Sequence, residues 1–222
     1  IMNFLSLFVL IPVLMLGGLL LASDIKQIRA VCATGASLLL LLAVALTVLF
    51  LGERNSGNTA EMLFTASSVW YAPFHIHYSV GVDISVAMLL LSSIIVFTGI
   101  FTSWKMELLP REYFMWFCLL SIGVFGFFIS TDLFTMFMFY EIALIPMYLL
   151  IGVWGTGKKE YAAMKLTLML MGGSALLLVG ILGIYFNSGA TSMNILDIAR
   201  QHIPDELQRW FFPLTFIGFG VL

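Results

Sequence analysis

The strongest constraint on the fold of this sequence is a series of apolar runs of about twenty residues, separated by short segments that hold most of the charges. A helix of ~20 apolar residues crosses the ~30 Å hydrocarbon core of a bilayer. The runs therefore predict membrane-spanning helices at 3–22, 30–51, 82–103, 112–130, 132–153 and 162–186, with a seventh beginning near Arg209. Because the runs are continuous and exceed the ~10 residues of a barrel strand, we predict an all-α, polytopic transmembrane helix bundle.

Composition supports this prediction. Hydrophobic residues make up 61% of the 222 residues and charged residues only 10%, too few to cover a water-facing surface. The first run has no basic leader and no clear cleavage site, so we interpret it as a span of the mature protein. The chain begins with Ile1, and its seventh apolar run is short, so we expect the sequence to be part of a longer chain.

Basic residues are distributed unequally between the loops. Those after the first, third and fifth spans carry Lys26, Arg29, Lys105, Arg111, Lys158 and Lys159, whereas the opposite side has Arg54, Arg200 and Arg209. Since basic loops stay on the cytoplasmic side, the N-terminus is predicted to face outward.

Several features have structural interpretations. Cys32 and Cys118 are expected to be inert packing residues. His75 and His77 form an H-x-H pair without further ligands, so no metal site is predicted there, and the loop from Gly52 to Val80 is interpreted as carrying an interfacial aromatic belt. The pattern of Leu196, Ala199, Ile203 and Leu207, with His202 among the polar residues between them, predicts a short interfacial helix.

Glu141 is the residue that carries chemistry. It follows Asp132 by nine residues in the fifth span, about 14 Å along the helix axis, which places it near the bilayer midplane. A charged carboxylate facing lipid there is expensive, so Glu141 must be neutral, paired or turned toward a hydrated interior. Each alternative involves a proton equilibrium, although a purely structural hydrogen bond to a neighbouring helix is also open.

Neighbouring residues refine this hypothesis. Pro146 cannot donate to the carbonyl of Ile142 and should loosen the helix beside the acid, whereas Asp132 is predicted to cap the same helix. Lys165, in the next span, is a possible relay, but its side chain leans toward the nearer interface and could equally snorkel there. The small residues of the sixth span predict close helix packing; they are Gly172, Gly173, Ser174, Ala175, Gly180 and Gly183.

Two segments carry a family resemblance: FMFYEIALIPMYLLIGVWG and KKEYAAMKLTLMLMGGSALLLVGILGIY. They resemble the chain M type of antiporter-like subunit of NADH:quinone oxidoreductase, the respiratory complex I. The resemblance is most specific from Asp132 to Tyr185. It implies a complete subunit of fourteen spans with two inverted five-helix repeats, so that 1–104 is a three-helix lead-in and 105–222 is the first part of a proton-translocating repeat.

The resemblance also implies that Glu141 is the family's helix 5 glutamate, paired with a lysine on a broken helix 7. If FIGFGVL is aligned with the corresponding family segment, Leu222 occupies the position of that lysine. The implied function is proton transport in an energy-transducing membrane such as the bacterial inner membrane, coupled to quinone reduction in other subunits. The implied partners are the other membrane-arm subunits and lipid.

The same resemblance implies an enzyme subunit with no cofactor, redox site or direct NADH binding of its own, and no nucleic-acid partner is expected. The alternatives are a subunit of a multisubunit cation/proton antiporter or of a membrane-bound hydrogenase, and, from another class, a non-transporting scaffold in which Glu141 only fixes helix register. Whether the ion is H⁺ or Na⁺ stays open.

Overall fold

The computed structural model describes residues 3–71, 76–190, 192–201 and 203–221. Its elements in chain order are α1 (Leu7–Leu21, after a 3-10 turn at Phe4–Ser6), α2 (Ile25–Asn55), β1 (Leu63–Tyr71), β2 (Ile76–Val82), α3 (Val86–Thr102, followed by a 3-10 turn at Ser103–Lys105), α4 (Pro110–Ile129), α5 (Leu133–Trp154), α6 (Lys159–Ser188), α7 (Ile195–Ala199) and α8 (Asp205–Gly220).

Six helices of the described residues are long and apolar enough to cross a membrane. They are α1 to α6, each overlapping one predicted span, so the predicted set of six is confirmed and the chain is an integral membrane protein. Helix α8 is the predicted seventh, and it covers 16 residues. Helices α2 and α6, with 31 and 30 residues, are each about 45 Å long and therefore exceed the ~30 Å hydrocarbon thickness.

One compact unit comprises Ile1–Ala66 and Val80–Ile129. In it α1 packs on α2 and α4, and α2 packs on α3. The rings of Phe8 and Phe125, both fully buried, lie 5.6 Å apart between α1 and α4. The thiols of Cys32 and Cys118 are free and buried in this unit, as expected of packing residues.

A second compact unit comprises Ser67–Ser79 and Ser130–Leu222. Its centre is α6, which packs along both α5 and α8. The predicted close helix approach is confirmed at Gly173, Gly180 and Gly183 of α6, and the first two illustrate it. A Cβ at Gly173 would lie 2.8 Å from Val221 Cβ, and one at Gly180 would lie 2.6 Å from Thr215 Cγ2. At Gly172, by contrast, a Cβ would meet no atom within 4 Å.

The loop between α2 and α3 differs from the prediction. Helix α2 continues to Asn55, and much of the remainder forms a two-stranded sheet of β1 and β2. The physical reason is composition: both strands are rich in β-branched and aromatic residues, which favour extended backbone. An otherwise helical protein therefore contains one β-hairpin in its described part.

The predicted interfacial helix over Leu196 to Leu207 is also corrected. Helix α7 covers only Ile195–Ala199, and Leu207 already belongs to α8, which begins at Asp205 rather than near Arg209. Pro204 precedes α8, and the acidic Asp205 and Glu206 occupy its first turn, where they interact favourably with the helix dipole. His202 of the predicted pattern lies outside the described residues.

Candidate functional site

Glu141 lies well inside α5, as the ninth of its 22 residues. The helix is about 33 Å long, so the carboxyl-bearing residue sits about 12 Å from its first residue and about 20 Å from its last. In the six spanning helices the other acidic residues lie in a first or last turn, where water or headgroups can solvate them. Glu141 alone carries a carboxyl group into the middle of a span.

The carboxyl of Glu141 is incompletely satisfied. The residue as a whole is half-buried, but its Oε1 atom is buried and accepts no hydrogen bond from any described residue. Among the described residues, Arg54 and Asp83 form the ion pair found, at 3.0 Å. Glu141 therefore forms no ion pair with a described residue. An ionised carboxylate in this state is costly, and the neutral acid is much less so.

A cavity of about 510 Å³ opens against Glu141 between α5 and α6. Its wall is mostly apolar, and the polar groups in it besides Glu141 are the hydroxyls of Tyr148 and Thr167. The remaining lining residues are Met138, Ile142, Leu144, Ile145 and Met171. The cavity is large enough for several water molecules, each of which takes up ~30 Å³ in the liquid.

Pro146 leaves one carbonyl of α5 without its usual partner. The helix continues through the proline from Leu133 to Trp154, so the predicted loosening does not interrupt it. The ring nitrogen of Pro146 has no hydrogen to donate to the carbonyl of Ile142. Since Ile142 lines the cavity, this acceptor lies on the residue next to Glu141 in the cavity wall.

Lys165 does not join this cavity. Its side chain is exposed, whereas Thr167, two residues further along α6, is half-buried and lines the cavity with Glu141. By helix rise, Lys165 lies about 10 Å from the level of Glu141 along the axis. The structure therefore places Glu141 and Thr167 together and leaves Lys165 on the outer surface of α6.

The start of α5 is held in a buried polar junction. Asp132 is completely buried, and its Oδ1 atom accepts the backbone N–H of Thr135 at 3.0 Å, which confirms the predicted cap. The N–H of Thr131 donates to the carbonyl of Ser79 at 2.9 Å, and the N–H of Leu133 donates to that of Met193 at 3.0 Å. Sequence reasoning found the cap but missed these tertiary partners.

The other sequence candidates do not form a site in the described part of the chain. His75 of the H-x-H pair and Leu222, aligned with the family's lysine, lie outside the described residues. The carbonyl of His77 accepts the hydroxyl of Thr135 at 3.1 Å, which gives this residue a structural contact. No cluster of three or more potential metal ligands occurs among residues 3–71, 76–190, 192–201 and 203–221.

A further contact between α5 and α6 lies beside Glu141. The hydroxyl of Tyr140 donates to the carbonyl of Leu170 at 3.5 Å. Sequence reasoning also missed Thr167, although a hydroxyl in an apolar span is a recognisable signal for an interhelical or cavity-facing position.

Comparisons with known proteins match the part of the chain that contains these residues. Residues 130–221 match the family described as NADH:quinone oxidoreductase/Mrp antiporter, TM. An NAD(P)H-quinone oxidoreductase chain 4 from a Picosynechococcus strain is 34% identical over 166 residues, which are 74% of this chain and 30% of that protein. A chain 4 from a Synechococcus strain is 31% identical over 98% of this chain and 40% of its own length. The chain thus spans less than half of either relative.

Solved structures of membrane complexes also match this chain over most of its length. A chain of respiratory complex I from Thermus thermophilus with bound NADH matches 97% of this chain and 43% of its own, with a TM-score of 0.81 and 25% identity. A chain of the Mrp complex from Dietzia matches 97% of this chain and 40% of its own, with a TM-score of 0.77 and 23% identity. The second likeness is one of fold alone.

Proposed function

We propose, from the match of residues 130–221 to the NADH:quinone oxidoreductase/Mrp antiporter transmembrane family, that the chain is a proton-translocating membrane-arm subunit of an NADH:quinone oxidoreductase. Quinone reduction takes place in other subunits, and this chain conducts protons. Its partners are the neighbouring membrane-arm subunits and lipid. The membrane is an energy-transducing one such as a bacterial inner membrane, with the N-terminus outside, as the distribution of basic loops favours.

The observation that carries this proposal is the environment of Glu141 in a membrane-spanning helix: its Oε1 atom is buried and has no partner among the described residues, and the residue lines a cavity between α5 and α6. Desolvation favours the protonated form of a carboxyl group, and a cation brought nearby favours the ionised form. Glu141 is therefore the proton-loading group of our proposal.

The cavity supplies a route for that proton. Thr167 and Tyr148 offer hydroxyls that can both donate and accept, and the carbonyl of Ile142 is relieved of its helix bond by Pro146. Lys165 has no part in this route, because it is exposed and does not line the cavity. The cation that tunes Glu141 in this proposal lies outside the described residues, and it is not at the position aligned with the family's lysine, which is Leu222 in this sequence.

The decisive experiment is Glu141→Gln in the gene for the whole polypeptide, with Glu160→Gln as the matched control. Glu160 is an exposed glutamate in the first turn of α6, so the same chemical change is made outside the cavity. Proton pumping and NADH:quinone electron transfer are measured in membrane vesicles, and assembly is checked on native gels. We expect both activities to fall for Glu141→Gln and to persist for Glu160→Gln.

If an assembled Glu141→Gln complex pumps like the unmodified one, the proposal is wrong and Glu141 only fixes helix register, as in a non-transporting scaffold.

A second candidate function is favoured by the fold likeness to the Mrp complex: a subunit of a multisubunit cation/proton antiporter. Vesicles of that assembly would exchange Na⁺ for H⁺ without NADH oxidation, so co-purifying subunits and the response to NADH separate the two. A membrane-bound hydrogenase is separated in the same way, by its partners.

A further inference from the structure

A second carboxyl group of this unit is more deeply buried than Glu141. Asp132 is 0% exposed, and its Oδ2 atom accepts no hydrogen bond from any described residue. Its other oxygen serves the helix cap by accepting the N–H of Thr135 at 3.0 Å. Capping needs one oxygen, so it explains the presence of a polar side chain here and leaves the second oxygen unexplained.

Three backbone N–H groups close to Asp132 in the chain or in the fold donate to other acceptors. The N–H of Thr131 binds the carbonyl of Ser79 at 2.9 Å, that of Leu133 binds the carbonyl of Met193 at 3.0 Å, and that of Ile195 binds the carbonyl of Thr131 at 2.9 Å. These bonds tie the start of α5 to β2 and to the segment before α7. Asp132 is fully buried beside these bonds, and none of the three N–H groups is available to Oδ2.

No cation compensates the carboxyl in the described part of the chain. The elements packed against Asp132 carry His77 and Tyr78 on β2, Asp197 in α7 and Arg200 at its end. None of these forms an ion pair with Asp132, and Asp197 is bonded to the hydroxyl of Ser192. On α5 itself the nearest carboxyl group is that of Glu141, about 14 Å away along the axis.

From this enclosure we propose that Asp132 is a second proton-binding group of the chain, a neutral carboxylic acid that holds its proton on Oδ2 at the start of α5. A proton there removes the charge, which is the costly part of burial, and leaves Oδ1 free to cap the helix. Burial also raises the pKa of Asp132, and this outweighs the lowering by the peptide N–H groups of Thr135, His77 and Phe134 and by the hydroxyl of Thr135.

Its role in transport deepens the proposed function and rests on it. Glu141 loads a proton in the middle of α5, and Asp132 holds one at the N-terminal start of the same helix. Protonation of Asp132 itself does not depend on pumping, so the two statements are tested separately.

The test of protonation is infrared difference spectroscopy of the intact assembly in membranes, labelled with carbonyl ¹³C-aspartate and compared with Asp132→Asn. We expect a protonated-carboxyl band at neutral pH that carries the aspartate label, shifts in D₂O, is absent from Asp132→Asn and persists in Asp197→Asn, which makes the same change in the neighbouring segment. A spectrum of Asp132→Asn that matches the unmodified protein at every pH would overturn the inference.

Should Asp132→Asn fail to assemble, Asp132→Glu provides the same answer, because the band then moves from the aspartate label to the glutamate label. Asparagine is as good a helix cap as aspartate, so pumping separates the two roles of the residue. Loss of most pumping in Asp132→Asn with retention in Asp132→Glu supports the transport role, and normal pumping in both contradicts it. Normal pumping in Glu141→Gln instead refutes the proposed function, whatever the infrared band shows.

Discussion

Because α6 packs closely against α8, Gly180→Ala should introduce a steric clash between the two helices. A Cβ at position 180 would lie 2.6 Å from Thr215 Cγ2 and 3.3 Å from the backbone nitrogen of Thr215. The methyl group can rotate away only in part, and the backbone atom can retreat only if α8 moves. Gly172→Ala is the matched control, since it makes the same change in the same helix where no atom lies within 4 Å.

The magnitude follows from two opposing effects. Replacing glycine by alanine inside a helix gains about 1 kcal/mol of helix propensity. Forcing an extra carbon into a packed contact costs about 1–3 kcal/mol. We therefore expect Gly172→Ala to stabilise the protein by up to about 1 kcal/mol and Gly180→Ala to be neutral or to destabilise it by up to about 2 kcal/mol.

The difference between the two variants is the informative quantity. Because the propensity gain is common to both, it cancels, and about 1–3 kcal/mol of packing cost remains. Denaturant unfolding of the purified protein in mild detergent measures the two free energies of unfolding. If Gly180→Ala proves as stable as Gly172→Ala, then α8 does not approach α6 as described, and the packing argument is wrong.

Two further predictions concern charged groups. Burial raises the pKa of Asp132, so the folded protein binds this proton more tightly than the unfolded chain, and the resulting stability is present at low pH and lost as pH rises through the raised pKa. Asp132→Asn should remove that decline above the ordinary aspartate pKa of ~3.9, as thermal unfolding at a series of pH values can show. Lys165→Gln should leave pumping in vesicles unchanged, because this exposed side chain does not line the Glu141 cavity, and a clear fall would place Lys165 in the proton route.

Much of the fold was predictable because a bilayer imposes a simple length rule. Each predicted span corresponds to a helix, and the cap of α5 by Asp132 was identified from its place at the start of an apolar run. Glu141 was singled out by the same logic, since bulk water and lipid headgroups do not solvate a carboxyl group in the middle of an apolar membrane-spanning helix. These inferences need only one-dimensional information, namely run length and the position of a charge.

The hairpin was missed for a different reason. The segment between α2 and α3 was interpreted through its aromatic residues, which are as common in interfacial belts as in strands. An available signal was the concentration of Thr, Val, Tyr and Phe in Leu63–Tyr71 and Ile76–Val82, on either side of Pro73. Its contacts with the start of α5 could not be predicted, because they join residues more than fifty positions apart.

The orientation of α6 about its own axis explains why sequence reasoning chose Lys165, and not Thr167, as a possible relay residue. Apolar residues surround this helix on all sides, so hydrophobic periodicity gives no preferred face. Two glycines do give one: Gly173 and Gly180 are seven residues apart and share a face, and they approach Val221, directly after α8, and Thr215 of α8. At about 100° per residue, Lys165 then lies about 80° to one side of Gly173, and Thr167 lies about 120° to the other.

Met171, at about 160°, falls on the same side as Thr167, which agrees with the cavity that both residues line with Glu141. The small residues of a transmembrane helix therefore carry directional information that its apolar residues lack. Once the structure assigns one face of α6 to α8, residue spacing gives the angles of the other residues about the helix axis, and the cavity lining then shows which side meets α5. In the structure Thr167 and Met171 lie on the side that lines the cavity with Glu141, and Lys165 lies on the other side.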